Sequence, residues 1–289
     1  MAYAQNRYDV IVVGGGNAAL TAAISATNMG AKVLVLEKAP KHLRGGNSYF
    51  TGGLFRFSYD RFEEIEALLP PLNSDEKESL EIEPYPKDVF YSDVMKVTEG
   101  LSDPDLLNTL VTRSYPTMTW MNDIGVPWIL AYGRQSFFHE GKQRFWGGLI
   151  IESVGGGKGL SDALFDIARK NHVDIHYESP ALSIEMNDKG AVRSIRVKND
   201  EGYRNVTCSA LVLASGGFEA NEEMRARYLG PGWELAKVRG TRYNTGDGIN
   251  MALQIGAQSH GHWSGCHAVA WDLNAPKFGD RNIADLFQK

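Results

Sequence analysis

Three blocks of different hydrophobic period open the chain. Tyr8 to Val13 is β-branched and apolar, the pattern of a parallel strand covered on both faces. From Asn17 to Met29 the spacing becomes helical. Alanines at 18, 19, 22, 23 and 26 form a face small enough to press closely on a sheet, and Gly30 supplies a C-terminal stop. Lys32 to Glu37 is a second buried strand. Together they predict a βαβ unit of about thirty residues, the size of a right-handed crossover.

Further along, residues 61–100 turn acidic and are interrupted by Pro70-Pro71, Pro84 and Pro86, which reads as a surface excursion without regular elements. A helix is expected over Asp103 to Asp123, opened by an Asp-Pro pair and ended by Gly125-Val-Pro127. Leu160 to Lys170 reads as a helix, with strands at His172 to Glu178 and Ala181 to Met186. Ala191 to Lys198 and Tyr203 to Cys208 form an expected hairpin. Leu211 to Ala214 reads as a separate buried strand running into Ser215-Gly216-Gly217.

Composition narrows the function classes. With 43% hydrophobic residues in 289, the chain can bury one large core or two modest ones. A formal net charge of -5 leaves no basic stripe for a phosphate backbone, so nucleic acid is not an expected partner and any bound anion must be held by local geometry. Cys208 and Cys266 have neither metal-ligand spacing nor the density of a disulfide scaffold, and read as reduced thiols. The opening residues lack a secretory pattern and Ile11 to Val13 is far too short to span a bilayer, so a cytoplasmic protein without membrane insertion is expected.

The first strand ends in Gly14-Gly15-Gly16-Asn17-Ala18-Ala19, which fits G-x-G-x-x-G/A with Ala19 in the third small position. The first glycine permits the tight turn, the next lets backbone approach a pyrophosphate, and the last small residue permits close helix packing. The anion then sits at a helix N-terminus, where unpaired N–H groups replace basic side chains. Glu37 follows Gly16 by twenty-one residues, placing an acid where ribose hydroxyls donate and a 2′-phosphate is repelled. NAD and FAD share this unit. The second glycine-rich stretch, Arg44-Gly45-Gly46-Asn47-Ser48 with Thr51-Gly52-Gly53, favours a flavin, which needs backbone close to its pyrophosphate, ribityl chain and ring edge.

Gly45-Gly46-Asn47, Ala214-Ser-Gly-Gly-Phe218 and Asn244-Thr-Gly-Asp-Gly-Ile249 together resemble the flavoprotein family of fumarate reductases and succinate dehydrogenases, which includes 3-ketosteroid dehydrogenases. The stretch from Asp105 to Pro127 and the residues around Trp263 resemble its FAD-dependent tricarballylate dehydrogenase branch. The resemblance implies that Ala18, Glu37, Asn47, Ser48, Gly52, Gly53 and Asp247 face FAD, with Ala181 near the adenine. With the glycine loops and their neighbours, the cofactor-binding candidates also include Gly14, Gly16, Ala19, Lys38, Arg44, Gly46, Gly216 and Gly217. Plainer readings exist: Asp247 as the cap of a helix over Gly248 to Ile255, and Ser215-Gly216-Gly217 as a strand-ending turn. Membrane-bound members carry the flavin on a histidine just after the arginine of this loop. None lies between Arg44 and Gly53, which implies noncovalent FAD.

His267 lies where soluble fumarate reductases use a histidine to bind a substrate carboxylate, and imidazole donates a hydrogen bond whether neutral or charged. His260 and His262 share its neighbourhood without supporting ligand spacing, so no metal is expected. The family continues past this C-terminus with the proton-transferring arginine. The expectation is therefore an N-terminal fragment of a longer enzyme. The expected fold class is α/β: a Rossmann-like FAD/NAD(P)-binding domain over 1–258, and the start of a truncated capping (substrate) domain over 259–289. The resemblance implies oxidation or reduction of a CH–CH bond in a small polycarboxylate such as tricarballylate, fumarate or succinate, with electrons exchanged with a membrane-associated redox protein. The alternatives are a 3-ketosteroid-type dehydrogenase, and a noncatalytic flavin-binding module of the kind found in corrin-ring biosynthesis.

Overall fold

A computed structural model describes residues 7–282 of the chain. It opens with β1 (Arg7–Val13), α1 (Asn17–Asn28) and β2 (Val33–Leu36). Next come β3 (Leu54–Phe55), α2 (Phe62–Glu66), α3 (Ser74–Ser79), β4 (Leu80–Glu81), α4 (Lys87–Val97) and α5 (Pro104–Asp123). Four short strands follow: β5 (Trp128–Leu130), β6 (Ser136–His139), β7 (Lys142–Phe145) and β8 (Ile151–Ser153). The last stretch holds α6 (Gly156–Lys170), β9 (Asp174–His176), β10 (Ala181–Met186), β11 (Val192–Asn199), β12 (Gly202–Leu213), α7 (Glu222–Leu229) and α8 (Asp247–Gln254). Two compact units result: residues 7–50 with 164–282, and Thr51–Ala163.

The first unit is built on a six-stranded sheet in the order β10-β11-β12-β1-β2-β9. β12, β1, β2 and β9 run parallel, and β10-β11-β12 forms an antiparallel extension. All four residues of β2 are buried, as a strand covered on both faces must be. α1 buries Ala19, Leu20, Ala23 and Ile24, and the full burial of Leu20 and Ile24 contributes roughly 1.5–3 kcal/mol each. A core cluster joins Ile11, Val13, Leu34 and Leu36 of the parallel strands to Ile195, Val197 and Val206 of the hairpin and Met251 of α8. The segment from Ser259 to Asn282 belongs to this unit, and 283–289 lie outside the described residues.

The expected break between Cys208 and Leu211 is absent. β12 is one twelve-residue strand, antiparallel to β11 from Gly202 to Thr207 and parallel to β1 from Thr207 to Leu213. Ser209-Ala210 carries neither glycine nor proline, so nothing stops the extended backbone from continuing.

The second unit corrects the reading of 61–100 as irregular. α2, α3 and α4 all lie there, because the prolines fall before or between helices and not inside them: Pro86 is the N-terminal cap position of α4. Tyr85 and Phe90 from this stretch are buried with Tyr59 just before it, Tyr59 packing against Tyr85 and Tyr85 against Phe90. The Asp-Pro start of α5 is as expected. Asp103 Oδ1 accepts from the N–H groups of Asp105 at 3.0 Å and Leu106 at 2.9 Å. Beyond α5, β3-β8-β5 and β4-β7-β6 form two small three-stranded sheets.

Candidate cofactor site

The carboxyl ends of β1, β2 and β12 open into one cleft of about 370 Å³ within the first unit. This is where open α/β sheets bind ligands, beside the strand at which the order reverses. Its walls come from Gly14 to Ala18, Leu36 to Ala39, Gly46 to Ser48, Ala181, Leu213 to Gly216, Thr241, Tyr243, Asn244 and Asp247.

The first glycine turn is compressed from two sides. Gly14 donates to Leu36 O at 2.9 Å while Ala214 donates to Val13 O at 2.8 Å, drawing the ends of the three strands together. Gly14 has φ +115°, and a Cβ there would strike the Ala214 carbonyl. At Gly15 a Cβ would overlap the Glu37 carboxylate, so a side chain would fill the space between loop and acid. α1 begins after Gly16 with no capping side chain of its own. The cap comes from 31 residues along the chain: Ser48 Oγ accepts from Asn17 N–H at 2.9 Å. Asn17 Oδ1, at the same helix start, is buried without a hydrogen-bond partner.

Glu37 is only 6% exposed. Its Oε1 accepts from Ala39 N–H at 2.7 Å, and its backbone is fixed by His176 O at 2.8 Å and Ser179 N–H at 3.0 Å. Burial pushes this carboxyl above its ordinary range, opposed by the Ala39 and Lys38 N–H groups and the charges of Arg281 and Lys38. Such an acid lacks hydration and gains from any ligand hydroxyl that donates to it.

The second glycine loop and the 240–247 stretch lock together. Asn47 Oδ1 accepts from Thr241 N–H at 2.9 Å. Gly216 has φ +75°, and a Cβ there would come within 2.6 Å of Asn244 Nδ2. Asp247 is the first residue of α8, behind a Gly246 cap position, and so is not the cap itself.

Most candidates read from sequence meet here: Gly14, Gly16, Ala18, Glu37, Lys38, Gly46, Asn47, Ser48, Ala181, Gly216 and Asp247 all line the cleft. Others have different surroundings. Ala19 is fully buried in α1. Arg44 lies over the Phe165 ring at 4.4 Å and hydrogen-bonds Tyr177. Gly217 accepts from Gly246 N–H at 3.0 Å. Gly52 and Gly53 belong to the second unit, where a Cβ on Gly53 would come within 2.5 Å of Ser153 Oγ. His267 is exposed on a loop anchored by Trp263, whose ring packs on Tyr228 at 4.7 Å.

Ser215, Thr241, Tyr243 and Asn244 also line the cleft but were not picked from sequence. Asn244 had a usable signal, since it heads the Asn-Thr-Gly-Asp-Gly motif. Among the described residues no group of three or more His, Cys, Asp or Glu converges on a metal position, and no helix is long and apolar enough to cross a membrane.

Comparison with known proteins agrees with this geometry. The FAD binding domain family matches residues 9–268. The cytochrome-type fumarate reductase of Shewanella frigidimarina is 30% identical over 250 residues, which cover 86% of this chain and 40% of that protein. The open conformation of a flavocytochrome c3 fumarate reductase superposes with a TM-score of 0.67 at 26% identity, covering 87% of this chain and 41% of that one. The 3-ketosteroid Δ1-dehydrogenase of Sterolibacterium denitrificans gives a TM-score of 0.69 at 21% identity, over 88% of this chain and 56% of that one, and shares the fold. The chain thus spans about 40% of the length of the fumarate reductases it matches.

Proposed function

The chain belongs to the FAD binding domain family, and we propose that it is the cofactor-holding part of an FAD-dependent oxidoreductase acting on a CH–CH bond beside a carboxylate. The observation that carries this reading is the cleft: glycine turns where a Cβ would collide, a buried Glu37 with acceptor capacity to spare, and an unpartnered Asn17 Oδ1 at a helix start. These features suit a dinucleotide with hydroxyl donors.

In this reading the Gly14 to Gly16 turn and the start of α1 hold the pyrophosphate, Glu37 holds the adenosine ribose, and Ala181 flanks the adenine. Asn47, Ser48 and Asp247 serve the flavin half. Bound FAD supplies two-electron transfer between substrate and ring. The chain's own residues bind the cofactor noncovalently, orient it through backbone N–H groups and exclude water from Glu37. His267 holds one carboxylate of a small polycarboxylate such as fumarate, succinate or tricarballylate. A membrane-associated electron-transfer protein is the proposed redox partner. Two free thiols, Cys208 and Cys266, suit the cytoplasm. The 3-ketosteroid reading rests on fold likeness alone.

Purified protein should take up FAD, turn yellow and release the colour on acid precipitation. In protein extended to the length of its relatives, His267→Ala should raise KM for the carboxylate more than it lowers kcat, the signature of lost uniform binding. Failure to bind FAD would overturn the cofactor assignment. Steroid oxidation without carboxylate turnover would replace the substrate class.

A further inference from the structure

Lys38 follows the buried Glu37 at the carboxyl end of β2, and a lysine lining a dinucleotide cleft invites the reading that its ammonium meets a phosphate. The geometry gives that charge other partners. Lys38 Nζ donates to Asp247 Oδ2 at 2.7 Å and to Thr245 Oγ1 at 2.7 Å. Thr245 Oγ1 in turn donates to Asp247 Oδ1 at 2.9 Å, so both carboxylate oxygens already accept a hydrogen bond. Thr245 is itself fixed, its carbonyl accepting from Asn221 Nδ2 at 3.0 Å. The network joins the end of β2 to the start of α8 across more than two hundred residues, and the capping Gly246 offers α8 no side chain.

We propose that Lys38 is a positioning residue that fixes and compensates Asp247, and does not itself bind the cofactor. The proposal rests on the flavin reading of the cleft. Lys38 and Asp247 side chains are 34% and 36% exposed, so solvent screens their attraction and the main effect is orientation. With Glu37 also in the cleft, an uncompensated Asp247 would put a second free carboxylate beside a ligand that carries a pyrophosphate. Held by Lys38 and Thr245, the carboxylate keeps one lone pair per oxygen for a hydroxyl of the ligand's polyol chain.

The test is a double-mutant cycle on FAD affinity, read by quenching of flavin fluorescence, with the visible circular dichroism of bound FAD recorded in parallel. Lys38→Met and Asp247→Asn should each raise the Kd about tenfold, as expected for loss of a hydrogen bond involving a charged group. The double variant should be little worse than either alone, and Lys38→Arg should stay within about threefold of the parent because it keeps charge and donors. Both single variants should shift the visible dichroism alike, which a purely structural lysine would not do. Equal loss from Lys38→Met in the parent and Asp247→Asn backgrounds would overturn the proposal, and would assign Lys38 a contact of its own. If Lys38→Met does not fold, Lys38→Gln runs the same cycle under the same criteria. A parent protein that binds no FAD would refute the flavin reading, whereas a binding parent with additive losses would refute only the role of Lys38.

Discussion

Ser48 tests how the cleft is assembled, because its hydroxyl is the side-chain cap for a helix that begins 31 residues earlier. Ser48→Ala leaves Asn17 N–H without its acceptor, beside an Asn17 Oδ1 that is already unpartnered. Loss of a capping hydroxyl costs about 1 kcal/mol, and water replaces it poorly where the helix start is half-buried. For a unit of this size that corresponds to a melting temperature about 2–4 °C lower. The assay is thermal melting of the apo protein by far-ultraviolet circular dichroism, with Ser48→Thr as the variant that keeps the hydroxyl. Repeating the melts at fixed excess FAD separates two roles, since ligand raises the midpoint according to its affinity. Equal FAD-induced increments in parent and Ser48→Ala would confine Ser48 to the helix, and a smaller increment in the variant would add a cofactor contact. An apo Ser48→Ala protein melting with the parent would refute the cap.

Two further outcomes follow from burial. Glu37 has its carboxyl raised by desolvation, so at pH values between its unfolded and folded pKa the native state keeps a proton that the unfolded chain has released. Its contribution to apo stability is therefore greatest below the ordinary carboxylate range and declines as pH rises through the raised value. Glu37→Gln should flatten that decline and raise the apo melting temperature at neutral pH, while weakening FAD binding by about 1–3 kcal/mol. An unchanged pH profile would show that Glu37 is not the responsible group. The thiols should also separate: exposed Cys266 should react with a thiol reagent at once, and Cys208, buried and with its thiol pKa pushed up by desolvation, only on unfolding. Simultaneous labelling of both would contradict the packing of β12 against the core.

The βαβ unit was legible because each of its parts carries a local signal: a buried run, a small-residue helix face, glycines at the turn. Asp103 announced α5 in the same way. What escaped the reading depends on partners distant in sequence. The second unit's strands β5 to β8 are three or four residues long, too short for a period to show, and exist through pairings such as Ile129 with Glu152. In 61–100, α2 and α3 are five and six residues long, too short for a period to show, and α4 is held by Phe90 buried against Tyr85. In the cleft, the glycine loops and Glu37 were visible from their motif. The pairing of Lys38 with Asp247 was not, since nothing in either neighbourhood marks residues 209 positions apart as partners.

The single strand β12 bears on how this protein can vary in length. Its first half forms a hairpin with β11 across the two-residue turn Asp200-Glu201, and its second half ends at the cleft floor, Leu213 to Gly216. Extra residues in the turn would be absorbed locally, because only its own loop must change shape. One extra residue between Tyr203 and Ala210 would exchange inner and outer faces for every position on one side of the insertion. Val206 and Cys208 would leave the core, or Leu211 and Leu213 would turn over at the cofactor end. Two extra residues would restore the faces but displace the strand exit by about 6–7 Å, far more than the Gly14–Ala214 contact tolerates. Length variation among related chains should therefore gather at 200–201 and be nearly absent from 203–216, irrespective of how freely individual residue types change along the strand.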